Sequence, residues 1–239
     1  MKSGKRRSTV LKRQNVRLEE RVLRRTLELQ TALHEVLEAK HQLLLAHKDT
    51  IHRLGVASEY KDPDTAAHLH RMSRYVRVIA EGLGLPEREV EVLCDASPMH
   101  DVGKIGIPET ILFKPGPLDA QEWVVMKRHS AIGARILAGS PSVLLQVGEV
   151  IARTHHEKWD GSGYPAGLSG DRIPLWGRIC AVADVFDALT TKRPYKDVFS
   201  NQKAFALLEE GMGKHFDPVL VDVFLEQQER ILSIQQEFQ

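Results

Sequence analysis

With 239 residues, 42% of them apolar and 27% charged, the chain can bury a core of ordinary size, and its composition excludes wholesale disorder. No apolar run approaches the roughly 20 residues of a membrane-spanning helix, and the basic N-terminus lacks the apolar segment of a signal peptide. The net charge of +1 conceals a charge of +8 on the first 25 residues, which we interpret as a solvated helix face. No aromatic residue alternates with these bases, so nucleic-acid binding is not predicted.

A long helix is predicted from about residue 10 to residue 54, because this stretch contains no proline and no glycine. Apolar residues recur at intervals of seven, with alanines on a neighbouring stripe: Val22, Leu29, Val36 and Leu43, and Ala32, Ala39 and Ala46. This repeat favours a coiled coil with a second copy of the chain, and a single amphipathic helix packed on the downstream residues is the alternative. We therefore predict a basic tail and a signalling and dimerisation helix at residues 1–54, followed by a compact domain at 55–239.

The compact domain is predicted to be all-α, because helix-like patterns follow one another and no alternating strand pattern is present. Asp62 and Pro63 predict the start of the first of these helices, and Pro98 disturbs the second. Asp119 followed by Glu122 predicts a capping box. Three further helices are predicted, and the first of them ends near His155. The two cysteines, Cys94 and Cys180, form no CxxC motif, which predicts a reduced, cytoplasmic protein.

Histidines and aspartates occur in five of these helical segments, at positions that suit metal ligands. The candidates are Asp64, His68, His100, Asp101, His129, His155, His156 and Asp184. Imidazole and carboxylate ligands without thiolate suit iron, manganese, zinc or nickel. Eight ligands exceed what one ion can hold. Because neighbours on a helix point about 100° apart, we expect the adjacent pairs to reach two different ions, with Asp101 bridging them.

Two motifs carry a resemblance to a known family. The sequence HDVGK at 100–104 resembles the signature of the HD phosphohydrolase superfamily. The sequence HHEKWDGSGYP at 155–165, continuing into RICAVADVFDALTTKRPY, resembles the HD-GYP subfamily of bacterial cyclic di-GMP phosphodiesterases, and the match runs from about residue 50 to 230. The resemblance implies an HD-type helical bundle in which all eight candidates are ligands of two or three divalent ions, iron foremost. Asp64 stands at the position linked with the third ion but is shorter than Glu, which leaves two or three ions open.

The resemblance also implies an activity. It is hydrolysis of cyclic di-GMP to linear pGpG, and to GMP after a second cut, in bacterial second-messenger signalling. The expected catalytic residues are His100, Asp101 and Lys104. The expected substrate-binding residues are Lys104, Tyr164, Arg193 and Lys196, and Glu157 and Asp160 are expected to support the ligand histidines.

Other functions stay open at this point. One alternative is a weakly active or inactive signalling module that binds a nucleotide or a protein, and another is a site for a different cyclic dinucleotide. The resemblance further implies signalling partners and a receiver or sensor domain upstream of the long helix.

Overall fold

The computed structural model describes residues 2–59, 66–191 and 198–238. Its α-helices are α1 (Lys2–Glu59), α2 (Ala66–Gly82), α3 (Glu87–Ala96), α4 (Glu109–Leu112), α5 (Ala120–Met126), α6 (Arg128–Leu137), α7 (Val143–Thr154), α8 (Leu175–Thr190), α9 (Asn201–Glu210), α10 (Pro218–Glu226) and α11 (Gln228–Glu237). Short 3₁₀ helices lie at Ser97–Met99, Val102–Gly106 and Gly170–Arg172. Within these ranges no strand forms beyond a single bridge between Met212 and Phe216. The all-α prediction with a long N-terminal helix is confirmed.

The chain divides into two compact units, Met1–Asp49 and Thr50–Gln239. In the first unit the seven-residue stripe is open to solvent, with Val22 58%, Leu29 70%, Val36 63% and Leu43 71% exposed. Helix α1 continues through Gly55, so the domain boundary after residue 54 stays a prediction. No helix among the described residues is long and apolar enough to cross a membrane.

The second unit has an aromatic centre contributed by four helices. Phe186 of α8 lies 4.8 Å from Phe205 of α9 and 5.0 Å from Phe224 of α10, measured between ring centroids. Tyr75 of α2 packs edge-on against Phe186 at 5.6 Å. Burying each large apolar side chain contributes about 1.5–3 kcal/mol, so this cluster fixes α2 against α8 and α10. That contact matters for function because α2 and α8 both carry candidate metal ligands.

Two local signals from the sequence agree with the structure. Asp119 accepts from the backbone of Gln121 and Glu122, and the Glu122 carboxylate bonds back to the Asp119 amide, so the predicted capping box is confirmed. The disturbance expected at Pro98 is a 3₁₀ turn that ends α3. Asp62 and Pro63 lie outside the described residues. Helices α4, α10 and α11 were not predicted, although Asp217 caps α10 and Pro218 opens it.

Candidate metal centre

Two neighbouring groups of ligand atoms form where α2, α6, α7 and α8 meet the turns around residue 100. In the first group the ligand atoms of Asp101, His129, His155 and His156 all lie within 4.8 Å of one another. In the second group the same holds for His68, His100 and Asp184. The first group is called the tetrad and the second the triad below.

Asp101 belongs to the tetrad and also faces the triad, using a different oxygen for each. Its Oδ1 is 3.2 Å from Nε2 of His129 and 3.6 Å from Nε2 of His155. Its Oδ2 is 3.4 Å from Nε2 of His100, which is in turn 3.9 Å from Oδ1 of Asp184. One carboxylate therefore contacts ligands on both sides, which is the arrangement expected of a bridging ligand.

The other ring nitrogen of three histidines is fixed by the backbone. The Nδ1 of His100 lies 2.9 Å from the Ser97 carbonyl oxygen. The Nδ1 of His129 lies 2.8 Å from the Met126 carbonyl oxygen, and that of His155 lies 3.0 Å from the Ile151 carbonyl oxygen. A carbonyl oxygen only accepts, so each Nδ1 carries the proton and donates it. In the neutral imidazole the lone pair is then on Nε2, which faces the site, as a metal ligand requires.

The burial and protonation of these groups fit a divalent cation. Asp101 Oδ1 and His155 Nε2 are buried, and neither has a hydrogen-bond partner among the described residues, whereas buried polar atoms are almost always paired. Burial, with His155 and His129 nearby, holds the pKa of His156 well below its usual value. Burial would raise the pKa of Asp101, but Lys104 and His100 outweigh it and hold this pKa well below its usual range. The imidazole of His156 is therefore neutral and the Asp101 carboxylate ionised at neutral pH, which metal binding requires.

Seven of the eight predicted ligands are brought together in the tetrad and the triad. The eighth, Asp64, lies outside the described residues, as do the predicted substrate-binding residues Arg193 and Lys196. Lys104 lies beside the site, with Nζ 2.7 Å from Asp101 Oδ2. Metal binding and the substrate contacts of Lys104 and Tyr164 stay predictions.

Tyr164 lies at the edge of the tetrad. Its ring centroid is 4.7 Å from that of His156 and 6.2 Å from that of His129, and Lys127 Nζ lies 5.3 Å from it. Burial raises the pKa of Tyr164, so its hydroxyl stays neutral. The ring is therefore placed where a ligand on the tetrad could meet it.

Glu157 and Asp160 do not support the ligand histidines as predicted. The buried Glu157 carboxylate instead accepts from the amides of Ala166 and Leu168, at 2.7 and 3.0 Å, and so shapes the loop that carries Tyr164. Asp160 accepts from the Ser162 amide at 2.8 Å. Glu157 follows His156 directly in the sequence, but its carboxylate turns toward the loop, because the backbone amides of the loop need hydrogen-bond acceptors.

Sequence reasoning missed two features near the site. Asp187 lies 2.7 Å from Nδ1 of His68, and its position three residues after Asp184 could have indicated that both face the same way. The turn at 211–217 pairs with the loop that carries Tyr164. The Trp159 amide donates to the His215 carbonyl at 3.1 Å, and the Asp160 amide donates to the Lys214 carbonyl at 2.8 Å. Burial and Lys158 lower the pKa of His215 to about 4. Nothing in the sequence of this turn indicated the pairing.

Comparison with known proteins agrees with this fold. Residues 20–220 match the sequence model of the HD domain family. The 3′3′-cGAMP-specific phosphodiesterase 2 of Vibrio cholerae serotype O1 is 48% identical over 187 residues, covering 78% of this chain and 36% of the relative. The cyclic di-GMP phosphodiesterase response regulator RpfG of Xanthomonas campestris pv. campestris is 46% identical over 215 residues, covering 90% of this chain and 55% of the relative.

A solved structure shows the same fold. The crystal structure of a cyclic GMP-AMP specific phosphodiesterase of V. cholerae, V-cGAP3, superimposes with a TM-score of 0.59 at 22% identity, covering 80% of this chain and 52% of that chain. The fold and the paired ligand groups thus define an all-α protein built around a candidate dinuclear centre. The chain belongs to the HD domain family, as the HDVGK motif predicted.

Proposed function

We propose that the chain is a metal-dependent phosphodiesterase that hydrolyses cyclic di-GMP to linear pGpG, and to GMP after a second cut. The observation that carries this proposal is that Asp101, a member of the tetrad, also faces His100 of the triad. Relatives named cyclic di-GMP phosphodiesterases, 40–46% identical to this chain, support it. We place this activity in the cytoplasm, since both cysteines are free and buried.

The residues that would hold the ions are those of the tetrad and the triad, and Asp101 of the tetrad would also contact the ion of the triad. Iron is the first candidate, before manganese, nickel and zinc, and Asp64 would decide whether a third ion binds. When bound, divalent ions supply Lewis acidity toward a phosphoryl oxygen and lower the pKa of a coordinated water to about 7.

The protein's own side chains bind and orient the substrate. Lys104, held against Asp101, brings a positive charge next to the Asp101 carboxylate, where a phosphoryl oxygen of the substrate is expected. Tyr164 offers an aromatic face beside His156 on which a guanine can stack. Arg193 and Lys196 are proposed to contact the second phosphate.

A second substrate is favoured by one observation, since a relative 48% identical to this chain is named as specific for 3′3′-cGAMP. The two cyclic dinucleotides share their phosphodiester ring and differ in one base. The same site could therefore act on either, with selection made by base contacts such as that of Tyr164. A weakly active binding module is the remaining alternative.

Hydrolysis of both dinucleotides by metal-loaded protein tests these functions directly, with the products separated by chromatography. We expect turnover of cyclic di-GMP, and we expect Tyr164→Ala to raise KM about tenfold because stacking on an aromatic ring is worth about 1–3 kcal/mol per base. Tyr164→Phe keeps the ring and should keep KM. Metal-loaded, folded protein that binds a cyclic dinucleotide without cleaving it would instead establish the binding module.

We further propose that helix α1 pairs with a second copy of the chain through the exposed stripe of Val22, Leu29, Val36 and Leu43. A receiver or sensor domain is the proposed upstream partner, in keeping with the relative that is named a response regulator. In sedimentation experiments the wild type should have twice the chain mass of 26.9 kDa. Leu29→Lys combined with Val36→Lys should give a monomer, whereas Thr31→Lys, off the stripe, should not. A monomeric wild type would contradict the pairing.

A further inference from the structure

His68 differs from the other histidines whose orientation is fixed through Nδ1. In His100, His129 and His155 this nitrogen bonds a backbone carbonyl three or four residues earlier in the chain. In His68 it bonds Oδ2 of Asp187, on α8, at 2.7 Å. The position of the His68 ring therefore depends on a contact between two helices rather than on its own helix.

Asp187 is itself held in one orientation. Arg71 Nε donates to Oδ1 at 2.6 Å, and Arg71 Nη2 donates to Oδ2 at 2.9 Å. The Thr191 hydroxyl lies 3.3 Å from Oδ2 and also accepts from Arg71 Nη2 at 2.9 Å. Asp187 is 1% exposed and Arg71 7% exposed, so this bidentate pair is shielded from water. Such pairs combine strength with a fixed geometry.

We propose that Asp187 is a positioning residue that sets the affinity of the triad for its ion through its bond to His68. The inference rests on the proposed function, in which the triad binds a divalent ion. A carboxylate that accepts from Nδ1 of a histidine fixes the ring, keeps the lone pair on Nε2 and makes that nitrogen a stronger ligand. Asp187 does this for His68 without contributing a ligand atom of its own to the triad.

The two charges of the pair act on a bound cation in opposite directions. Asp187→Asn removes the anion and keeps the positive charge of the Arg71 guanidinium, which Asp187 then no longer balances and which repels a divalent ion at the triad. Arg71→Met leaves the Asp187 anion in place, which attracts the ion. An ion pair that only joined α2 to α8 would give a different result, because both variants would lose stability and neither would alter metal binding.

The test is a titration of metal-free whole chain with Mn²⁺ by calorimetry, with thermal unfolding of the same samples. We expect the wild type to bind two ions, and Asp187→Asn to bind one of them about 10–100-fold more weakly and the other unchanged. Arg71→Met should bind both ions at least as tightly as the wild type. The matched control is Asp217→Asn, since Asp217 pairs with Arg178 at 2.6 Å, is 5% exposed and bonds no histidine within the described ranges. It should lower the unfolding temperature and leave both affinities intact.

A combined Asp187→Asn and Arg71→Met variant removes both charges together, so it provides a folded protein even where one of the single substitutions prevents folding. This variant should still bind the ion of the triad at least tenfold more weakly than the wild type does. Wild-type affinity for both ions in Asp187→Asn or in the combined variant overturns the inference alone, as does an equal loss in Arg71→Met. A wild type that binds no divalent ion overturns the inference and the proposed function together.

Discussion

Asp101→Asn is expected to lower kcat/KM for cyclic di-GMP by at least about 1,000-fold and to reduce the bound metal from two ions to fewer than one. Asp101 supplies the carboxylate of the tetrad, and this carboxylate also faces His100 of the triad. Its loss is therefore expected to affect both ions. Lewis-acid stabilisation is worth several kcal/mol, and about 1.4 kcal/mol corresponds to a tenfold rate change. The measurements are hydrolysis rates and elemental analysis of the purified variant.

Asp222→Asn serves as the control, because Asp222 lies exposed on α10 and is not part of either group. It should retain both activity and metal. The rise in unfolding temperature that metal produces should also disappear in Asp101→Asn, since an ion at 100 times its Kd stabilises the folded state by about 2.7 kcal/mol. The double variant His100→Ala with Asp101→Ala should be equally inactive. Unchanged activity in either variant would refute the assignment of these ligands.

Gly103→Ala is expected to have the second-largest effect, on both stability and metal binding. A Cβ at Gly103 would overlap the backbone of α6, at the carbonyl oxygen of His129 and the amide nitrogen of Gly133. Backbone cannot give way as a side chain does, so the 3₁₀ helix and α6 must separate, at a cost of about 1–3 kcal/mol. For a chain of this size the unfolding temperature should fall by about 2–12 °C. Because Asp101 and His129 meet across the same contact, at 3.2 Å, the tetrad should also lose affinity.

Gly148→Ala provides a matched control inside α7. The Cβ added there would meet the terminal methyl group of Met99, which can rotate away, and the substitution favours the helix. We expect metal binding to be unchanged and the unfolding temperature to shift little. If Gly103→Ala behaved in the same way, the close approach of the two backbones would not be needed to assemble the tetrad.

Much of the site could be predicted because its residues combine chemistry with spacing. His100 and Asp101 are adjacent next to the turn caused by Pro98, and His155 and His156 follow the end of a helix, so each pair diverges. The structure brings both pairs to one place. The capping box at Asp119 was equally local, since it involves residues three apart.

Other parts of the site depend on distant residues and could not be predicted. The bond between His68 and Asp187 joins residues 119 positions apart, and no pattern in either helix specifies that they meet. Glu157 was misassigned because its partners, Ala166 and Leu168, are backbone amides that become neighbours only once the loop has folded back. The pairing of the 211–217 turn with this loop has the same origin.

Anomalous diffraction at the iron, manganese and zinc edges, from crystals of protein purified without chelators, tests the central claim most directly. The account predicts two strong neighbouring peaks. One should lie among Asp101, His129, His155 and His156, and the other among His68, His100 and Asp184. Metal-replete protein that shows no peak within either group, or peaks only at surface sites, would contradict it.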